Sequence, residues 1–360
     1  MAPSWFESPM FESPISRRVL LAGAGGAGLA SLLAACSGSG SGSGQSASRA
    51  TTATPVTTPS DTASSASPSA SASPSTSTSA SARATHAATK LVRVTSAFGD
   101  GTVVGVGLPI VLSFDPTPTD AKPFVDAVTV TVDGKPADGA WYWSKPYAGE
   151  PVQAHYRMRD YWPANSTIVV TLPIGGLSAG KGLAYRDELT SITWHTGDKR
   201  VVLVNGATET AVVSVNDKQY RTMKASLGKS ETPTTTGTKL VMQKGETQPG
   251  TNHLRPDGAV RMQNTAHTYD LIVDWSVRVT ASGEYLHAAP WNSEIGQTST
   301  SDGCTNLSVA DAKWFYGFCR IGDVVIHRNT GGQPVQWWDG YADWNTPWST
   351  WVKGGLLPPT

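Results

Sequence analysis

Short β-branched runs separated by turn residues fill the chain from Leu91 to about Gly197, and this pattern constrains the fold more than any other feature. Runs such as VVGVGLPIVLSFD, AVTVTVDG and STIVVTLP have the length of single strands, and Gly, Pro or Asp-Gly lies between them. Regular short strands of this kind are typical of an antiparallel β-sandwich. The stretch contains no cysteine pair and no cluster of histidines or carboxylates, so we assign no chemistry to it.

The strand pattern continues beyond Gly197, and VVLVNGATETAVVSV places the hairpin-turn dipeptide Asn-Gly between two β-branched runs. One segment differs. Ser308 begins SVADAKWFYGF, and Ser308 and Asp311 have the spacing of a capping box, which predicts the one clear helix of this half. Cys319 follows that helix, and we expect its thiol to be packed. The sequence therefore predicts a mainly β protein with one main helix in its second half.

Residues 1–36 have the organisation of an export signal. Ser16-Arg17-Arg18 precedes a short, glycine-rich apolar run, and the paired arginines resemble a twin-arginine signal. The run ends in Leu33-Ala34-Ala35-Cys36, which resembles the lipobox of bacterial lipoproteins, where the cysteine is lipidated and becomes the new N-terminus. We therefore expect an extracytoplasmic protein, lipid-anchored through Cys36 to the outer face of the cytoplasmic membrane. A single transmembrane anchor with an incidental cysteine is the alternative.

Residues 37–89 consist almost only of Ser, Gly, Ala, Thr and Pro. Such a segment buries too little apolar surface to offset the entropy lost on ordering, so we expect a disordered tether. A flexible chain of this length has a root-mean-square span of roughly 40 Å. The tether is therefore long enough to hold the folded part away from a membrane and within reach of a polymer network.

Charge and cysteine content exclude two further classes of protein. Lys+Arg and Asp+Glu number 28 each, so no overall charge indicates a nucleic-acid partner. The three cysteines, Cys36, Cys304 and Cys319, do not form a disulfide framework, although the export signal predicts a protein outside the cytoplasm. Each thiol therefore needs its own explanation.

His287 and Cys304 are the residues that point to chemistry. A thiol is a poor nucleophile until it loses its proton, and imidazole is the usual base because its pKa lies nearest neutrality. Gly303 lets the backbone approach a substrate carbonyl, and the amides of Gly303 and Cys304 are candidates for an oxyanion hole. On these residues alone, a buried thiol and an ordinary surface histidine remain the alternative.

The same stretch resembles the active-site motif of the L,D-transpeptidases with a YkuD-type catalytic domain, cysteine enzymes that remodel bacterial peptidoglycan. The family pattern is a histidine, a loop, Ser/Thr-His-Gly-Cys, one variable residue, and Asn or Arg. Here it reads His287, a loop, and then Ser301-Asp302-Gly303-Cys304-Thr305-Asn306. The likeness continues through HAAPW, LSVADAKWFY, GDVV and DWNTPWSTW, and it extends from near Leu91 to near Gly354.

The resemblance implies an immunoglobulin-like domain at residues 90–197. It also implies a YkuD-like catalytic domain at residues 198–354, whose tryptophan-rich tail folds back on the catalytic domain with its five tryptophans buried. The implied reaction is 3→3 cross-linking of peptidoglycan. Cys304 attacks the carbonyl of the third residue of a tetrapeptide stem and releases D-alanine as a thioester forms. His287 moves the protons, and the amine of an acceptor stem resolves the thioester.

Further implications of the resemblance concern the surroundings of the nucleophile. The backbone carbonyl of Ala288 orients His287, and Ser301 and Asn306 hold the loop and the substrate. The segment GETQPGTNHLRPDG forms the lid by position, and Lys239 stands near the active site where the family usually has a tyrosine. The reaction needs no metal or organic cofactor. Peptidoglycan stem peptides are the expected partners, nucleic acid is not, and carbapenem-type β-lactams are expected covalent inhibitors.

Asp302 departs from the family pattern, because a histidine usually precedes the glycine. An ionised carboxylate beside Cys304 would raise the thiol pKa and weaken the thiolate. Alternatively, Asp302 points toward His287 and orients it in a Cys–His–Asp arrangement. We favour the orienting role, because a site that keeps both Cys304 and His287 has little use for a neighbour that disables them.

Two other functions remain open at this point. A degenerate paralogue would bind peptidoglycan without turnover, and Asp302 favours that hypothesis whereas retention of His287 and Cys304 opposes it. An L,D-carboxypeptidase or amidase-type cysteine hydrolase would use water instead of an amine to resolve the thioester.

Overall fold

The computed structural model describes residues 89–145, 151–249, 251–264 and 269–357. The export signal, the lipobox with Cys36, and all of the proposed tether except residue 89 lie outside these ranges. The strands are β1 Lys90–Ser96, β2 Thr102–Val104, β3 Ile110–Asp115, β4 Thr129–Val132, β5 Lys135–Pro136, β6 Gly139–Ser144, β7 Val152–Met158, β8 Thr167–Thr171, β9 Leu183–Tyr185, β10 Ser191–Thr196, β11 Arg200–Asn205, β12 Thr210–Val215, β13 Lys218–Ser226, β14 Gly237–Leu240, β15 Gln243–Lys244, β16 Val260–Asn264, β17 Tyr269–Val273, β18 Val277–Arg278, β19 Tyr285–Ala288, β20 Thr305–Leu307 and β21 Val324–Arg328.

The α-helices of the described chain are α1 Lys122–Ala127, α2 Val309–Phe318 and α3 Trp348–Trp351. Short 3₁₀ turns lie at Pro256–Gly258 and Asp343–Asn345. In the described ranges, every helix is too short or too polar to cross a bilayer. The predicted mainly β fold is confirmed.

The first ten strands form two five-stranded sheets, β6-β7-β3-β1-β9 and β2-β10-β8-β4-β5. Alternate residues point inward, as in β10, where Ile192, Trp194 and Thr196 are buried between more exposed neighbours. The two sheets share one hydrophobic core. Most pairs are antiparallel as predicted, but β1 with β9 and β2 with β10 are parallel, since long connections join these strands. The predicted immunoglobulin-like sandwich is confirmed.

Nine of the remaining strands form one sheet in the order β14-β21-β11-β12-β13-β20-β19-β18-β15. The last two, β16 and β17, pair only with each other as a hairpin. Helix α2 packs on the nine-stranded sheet through Ala312 and Phe315, which are buried with the side chains of β13, β19 and β20.

The predicted helix and its cap are confirmed. Helix α2 begins after Ser308, whose Oγ accepts from the Asp311 amide at 3.1 Å and donates to Asp311 Oδ2 at 2.9 Å. The helix ends at Cys319, which is 3% exposed. The Cys319 thiol is packed in the core, as expected.

The sandwich approaches the nine-stranded sheet closely at Gly105. Its amide donates to the Ile321 carbonyl at 2.7 Å, and the Gly107 amide donates to the Gly322 carbonyl at 3.0 Å. A Cβ at Gly105 would lie 2.1 Å from the Asp323 amide nitrogen. Only glycine permits this contact between backbones.

The C-terminal tail corrects one expectation, because it packs on both domains rather than on the catalytic domain alone. Asn345 exchanges hydrogen bonds with the Thr238 main chain in β14 at 2.7 and 2.8 Å. Trp344 donates to the Gly107 carbonyl and Trp351 to the Ala140 carbonyl, and both acceptors belong to the sandwich. Of the five tail tryptophans only Trp351 is fully buried, and the other four are half-buried.

Arg157 in β7 is the centre of the contact between the sandwich and the tail. The residue is 2% exposed, and its Nη2 donates to the Thr346 carbonyl at 2.7 Å. The guanidinium carbon lies 4.8, 5.4 and 4.4 Å from the ring centroids of Trp344, Trp348 and Trp351. Cation–π attraction is strongest for cations removed from water, so Arg157 stabilises the tail in this position.

We therefore expect Arg157→Ala to lower the free energy of unfolding by about 3 kcal/mol, because the cation–π contacts are lost and a buried carbonyl loses its donor. Urea unfolding followed by tryptophan fluorescence measures this change. The matched control is Arg159→Ala, which removes an exposed arginine just after the same strand. Equal destabilisation by the two variants would contradict the role of Arg157.

Candidate active site

Two adjacent parallel strands bring His287 and Cys304 to one pocket. In the register of β19 with β20, Leu286 lies opposite Thr305 and His287 opposite Asn306, so Cys304 immediately precedes β20 beside Tyr285. Both residues line a pocket of about 360 Å³. Its remaining lining residues are Met262, Tyr269, Leu271, Val273, Trp291, Asn292, Ser293, Thr300, Ser301, Asp302 and Asn306.

His287 is buried and held in a fixed orientation. Its Nδ1 lies 2.8 Å from the Ala288 carbonyl oxygen, which is the orienting hydrogen bond that the resemblance implied. Since a carbonyl only accepts, Nδ1 carries the proton and Nε2 is left as the acceptor. The Trp291 ring packs alongside, with centroids 6.2 Å apart. Burial lowers the His287 pKa to about 4, and the hydrogen bond to Ala288 acts against that shift.

Cys304 is partly exposed to the pocket, and its Sγ contacts the Gly283 carbonyl oxygen at 3.9 Å. Desolvation raises the pKa of the thiol to about 12, and a main-chain hydrogen bond from Tyr285 acts in the opposite direction. The thiol is therefore protonated and His287 neutral near pH 7. The resting pair is uncharged, so the proton must move to His287 as the sulfur attacks.

The turn before Cys304 depends on Gly303 and Ser301. Gly303 has φ +106°, a conformation that residues with a Cβ rarely adopt. Ser301 Oγ donates to the Cys304 carbonyl at 2.5 Å and accepts from the Gly303 amide at 3.2 Å. Ser301 thus supports the loop. The Gly303 amide donates to Ser301 here, so its role in an oxyanion hole, which requires this hydrogen bond to open, stays a prediction.

Asn306 contributes a polar group to the wall of the pocket. The residue is 4% exposed, and its Oδ1 is buried without a hydrogen-bond partner in the described chain. Buried polar atoms are nearly always paired, so an unpaired carboxamide oxygen beside a pocket is unusual. Because this oxygen is itself shielded from solvent, the role of Asn306 in holding a substrate stays a prediction.

Asp302 does not orient His287, and our preferred hypothesis for it is wrong. Its Oδ1 forms an ion pair with Lys229 Nζ at 2.7 Å and accepts from Thr232 Oγ1 at 3.1 Å. The nitrogen that an orienting carboxylate would bind, His287 Nδ1, is occupied by the Ala288 carbonyl. The hydrogen bond to Asp302 also raises the Lys229 pKa. Lys229 is thus a cation that offsets the charge of Asp302 beside the thiol.

The loop that contains Lys229 and Thr232 also binds the catalytic turn, Ser301 to Cys304, through backbone hydrogen bonds. The Ser301 amide donates to the Leu227 carbonyl and the Lys229 amide to the Ser301 carbonyl, both at 2.9 Å. Lys229 and Thr232 were missed by the sequence analysis. They precede the catalytic cysteine by more than 70 residues, and no local pattern connects them to it.

The pocket wall corrects the expectation for the lid. No residue of the described part of GETQPGTNHLRPDG (245–258) lines the pocket. The hairpin of β16 and β17 forms this wall instead, through Met262, Leu271 and Val273. Leu271 is 44% exposed, and its neighbour Ile272 is 53% exposed.

Lys239 is not in the pocket, although it lies near the nucleophile. The residue is 1% exposed, and its Nζ pairs with Glu284 Oε2 and donates to the Thr235 carbonyl at 2.8 Å. Glu284 was missed by the sequence analysis. Its only signal was a carboxylate immediately before the apolar Tyr-Leu pair that precedes His287. In the described residues, no group of three or more His, Cys, Asp or Glu side chains is arranged to hold a metal ion.

Comparisons with known proteins show the family of this chain. The L,D-transpeptidase catalytic domain matches residues 199–326, and a bacterial Ig domain matches residues 43–178. Probable L,D-transpeptidase 3 of Mycobacterium tuberculosis is 32% identical over 246 residues, which is 63% of this chain and 82% of that protein. This chain belongs to the L,D-transpeptidase family.

Two further comparisons concern another sequence relative and a solved structure. L,D-transpeptidase 2 of Mycobacterium tuberculosis is 31% identical over 259 residues, or 71% of this chain, and the match spans 60% of that relative's length. The solved structure of the L,D-transpeptidase LdtMt1 in complex with imipenem has a TM-score of 0.53 and 26% identity. It covers 66% of this chain and 100% of that one.

Because Cys304 and His287 are both uncharged at rest, we expect a specific pH dependence of thiol reactivity. Because alkylation needs the thiolate, the rate at which iodoacetamide modifies Cys304 should rise about tenfold per pH unit from pH 6 to 9 without levelling off. Peptide mass spectrometry of the alkylated Cys304 measures this rate. A plateau that begins near pH 7 would instead indicate a preformed thiolate–imidazolium pair.

Proposed function

We propose that this protein is an L,D-transpeptidase that joins peptidoglycan stem peptides in 3→3 cross-links. The observation that carries the proposal is the arrangement of the pair: His287 has Nδ1 bound to Ala288 and Nε2 open, and it lines the same pocket as a partly exposed Cys304. A neutral imidazole in this tautomer is a general base for an adjacent thiol.

Acylation begins from the uncharged pair. Cys304 Sγ attacks the carbonyl carbon of the third residue of a tetrapeptide stem while His287 Nε2 takes the thiol proton. The C–N bond to the terminal D-alanine then breaks, and the imidazolium gives its proton to the leaving amine. A thioester on Cys304 remains. Burial makes both the thiolate and the imidazolium costly, so they exist together only while their charges stabilise each other.

Transfer repeats these steps in reverse order. The amine of the acceptor stem attacks the thioester carbonyl and loses a proton to His287. The C–S bond then breaks, and His287 returns the proton to the sulfur. In both halves the Cys304 amide lies next to the developing oxyanion, and the Gly303 amide joins it once the contact with Ser301 opens.

The pocket suits a peptide substrate. Its volume is within the range of small-molecule and peptide sites. Met262, Leu271 and Val273 supply an apolar wall for the aliphatic parts of a stem, and Asn306 is a polar residue of the same pocket. Carbapenems are expected to acylate Cys304 in the same way, with the β-lactam C–N bond in place of the D-alanine bond. A relative's structure with imipenem supports this expectation.

Imipenem should therefore acylate one thiol of this protein. Cys304→Ala should abolish the mass increase that imipenem produces in the intact protein, whereas the matched control Cys319→Ala should retain it, since Cys319 is buried in the core. Intact-mass spectrometry gives the result directly. Equal loss in both variants would show that the nucleophile is assigned wrongly.

The reaction itself is tested with a disaccharide-tetrapeptide. Mass spectrometry should find a dimer that lacks one D-alanine, which requires an amine acceptor. A tripeptide product alone would support a cysteine hydrolase, and unchanged substrate would support a non-catalytic peptidoglycan-binding protein.

The proposal includes a lipid anchor at Cys36, which is supported by Leu33-Ala34-Ala35-Cys36 at the end of a short apolar run. Cys36→Ser should prevent lipidation and processing, so that the protein keeps its signal or leaves the membrane fraction. Fractionation with N-terminal mass analysis measures this. An unprocessed N-terminus on the wild-type protein in its native membrane would contradict the anchor.

A further inference from the structure

A lysine and a glutamate are buried together close to the nucleophile, and the reaction above uses neither of them. The side chain of Lys239 in β14 is fully buried, and that of Glu284, just before β19, is 12% exposed. Lys239 Nζ pairs with Glu284 Oε2 and donates to the Thr235 carbonyl. Glu284 also accepts from the Thr235 amide at 2.7 Å and from Thr235 Oγ1 at 2.9 Å.

Stability alone does not account for this pair. Removing two charges from water is costly, and an apolar pair of similar volume is often as stable or more so. Burial lowers the Lys239 pKa, and the Glu284 carboxylate acts against that shift. Lys239 also donates to the Thr235 carbonyl, so its ammonium group has an acceptor besides Glu284.

The neighbours of Glu284 in the chain touch the nucleophile. The Gly283 carbonyl is 3.9 Å from Cys304 Sγ, and Tyr285 makes the main-chain hydrogen bond that lowers the thiol pKa. Gly283 has φ +109°, and no atom lies within 4 Å of where its Cβ would be. No side chain packs over this turn at Gly283, and hydrogen bonds hold it. Thr280 Oγ1 accepts from the Glu284 amide at 2.9 Å, Asp339 accepts from Ser282, and the Glu284 carboxylate is itself bound by Thr235 and Lys239.

The titratable groups around the thiol come from four elements of the fold. Lys239 lies in β14, Glu284 in the turn before β19, His287 in β19 and Asp302 in the catalytic turn. Glu284 and Asp302 each raise the Cys304 pKa, and Lys239 lowers it. Lys229 offsets Asp302 from the solvent side, and Lys239 offsets Glu284 from inside the protein.

We propose that Lys239 and Glu284 are positioning residues of this site, and the proposal rests on Cys304 being the nucleophile of the proposed function. The pair fixes the main chain of Gly283 and Tyr285 against the sulfur, and it keeps the charge on the inner side of the thiol balanced. Neither side chain touches the substrate.

Single neutralisations of the pair have opposite consequences. Glu284→Gln leaves the Lys239 cation alone, so the Cys304 pKa should fall by about one pH unit. Lys239→Met leaves the Glu284 anion alone, so the pKa should rise by about the same amount. A pair that serves only packing would not produce shifts of opposite sign.

The apolar double variant Lys239→Met/Glu284→Met separates charge from position. This variant lacks both the cation and the anion, so the net charge beside the thiol is the same as in the wild type. The Cys304 pKa should therefore lie within about 0.3 units of the wild-type value. The turn is no longer held, so acylation by imipenem should remain at least about fivefold slower than in the wild type. Wild-type acylation in the double variant would overturn the positioning role.

The measurement is the rate of Cys304 alkylation by iodoacetamide from pH 6 to 10 in the full chain, followed by peptide mass spectrometry. The thiol is mostly protonated over this range, so a pKa that falls by one unit raises the rate about tenfold at each pH, and a pKa that rises by one unit lowers it about tenfold. The control variants Lys122→Met and Asp126→Asn break an exposed ion pair in the sandwich and should leave the profile unchanged. If Lys239→Met does not fold, Glu284→Gln carries the test, because it keeps the shape of the side chain. Shifts of equal sign, or shifts below about 0.3 units in both single variants, would overturn the proposal.

Alkylation needs only the thiol, so this result does not depend on cross-linking activity. Opposite shifts in a protein that forms no dimer from disaccharide-tetrapeptide would support the pair and contradict the proposed function. Dimer formation without opposite pKa shifts would support the proposed function and contradict the role of the Lys239–Glu284 pair.

Discussion

The site depends on the parallel pairing of β19 with β20. This pairing places Cys304 beside Tyr285, two residues before His287 in the adjacent strand, although a loop separates the two strands in the chain. Both ends of β20 are fixed, because the Gly303 turn precedes it and the Ser308 cap of α2 follows it. A strand held at both ends cannot slip, since a shift of one residue would turn each side chain to the other face.

Burial keeps Cys304 and His287 uncharged at rest, and two nearby ion pairs prevent an unbalanced charge from disturbing this state. Desolvation favours the neutral forms of both Cys304 and His287. Asp302 would add an anion at the mouth of this neutral centre, but Lys229 accompanies it. Glu284 would add another inside, but Lys239 accompanies that one. The structure therefore offers a physical reason why an aspartate is tolerated where the family usually has a histidine.

Features that depend on local chemistry were accessible from the sequence. Alternating apolar runs predicted the strands, and the Ser308 cap predicted α2. The family resemblance, rather than local chemistry, implied that the Ala288 carbonyl orients His287. The partners of Asp302 and Lys239 were not accessible, because Thr232 is 70 residues from Asp302 and Glu284 is 45 residues from Lys239. The wrong role for Asp302 came from considering only its neighbours in the motif. Contacts at such separations are set by the sheet order rather than by any local pattern.

The C-terminal tail supports the backbone on either side of the buried Lys239–Glu284 pair. Asn345 holds Thr238, the residue before Lys239, and Asp339 accepts from the Ser282 amide at 2.6 Å and from Ser282 Oγ at 2.7 Å, two residues before Glu284. One segment thus binds the backbone next to each member of the buried pair. That segment is held in turn by the sandwich, through Arg157 and the hydrogen bonds of Trp344 and Trp351. None of the described residues of the sandwich lines the pocket, yet the sandwich supports the tail that holds the turn against the thiol.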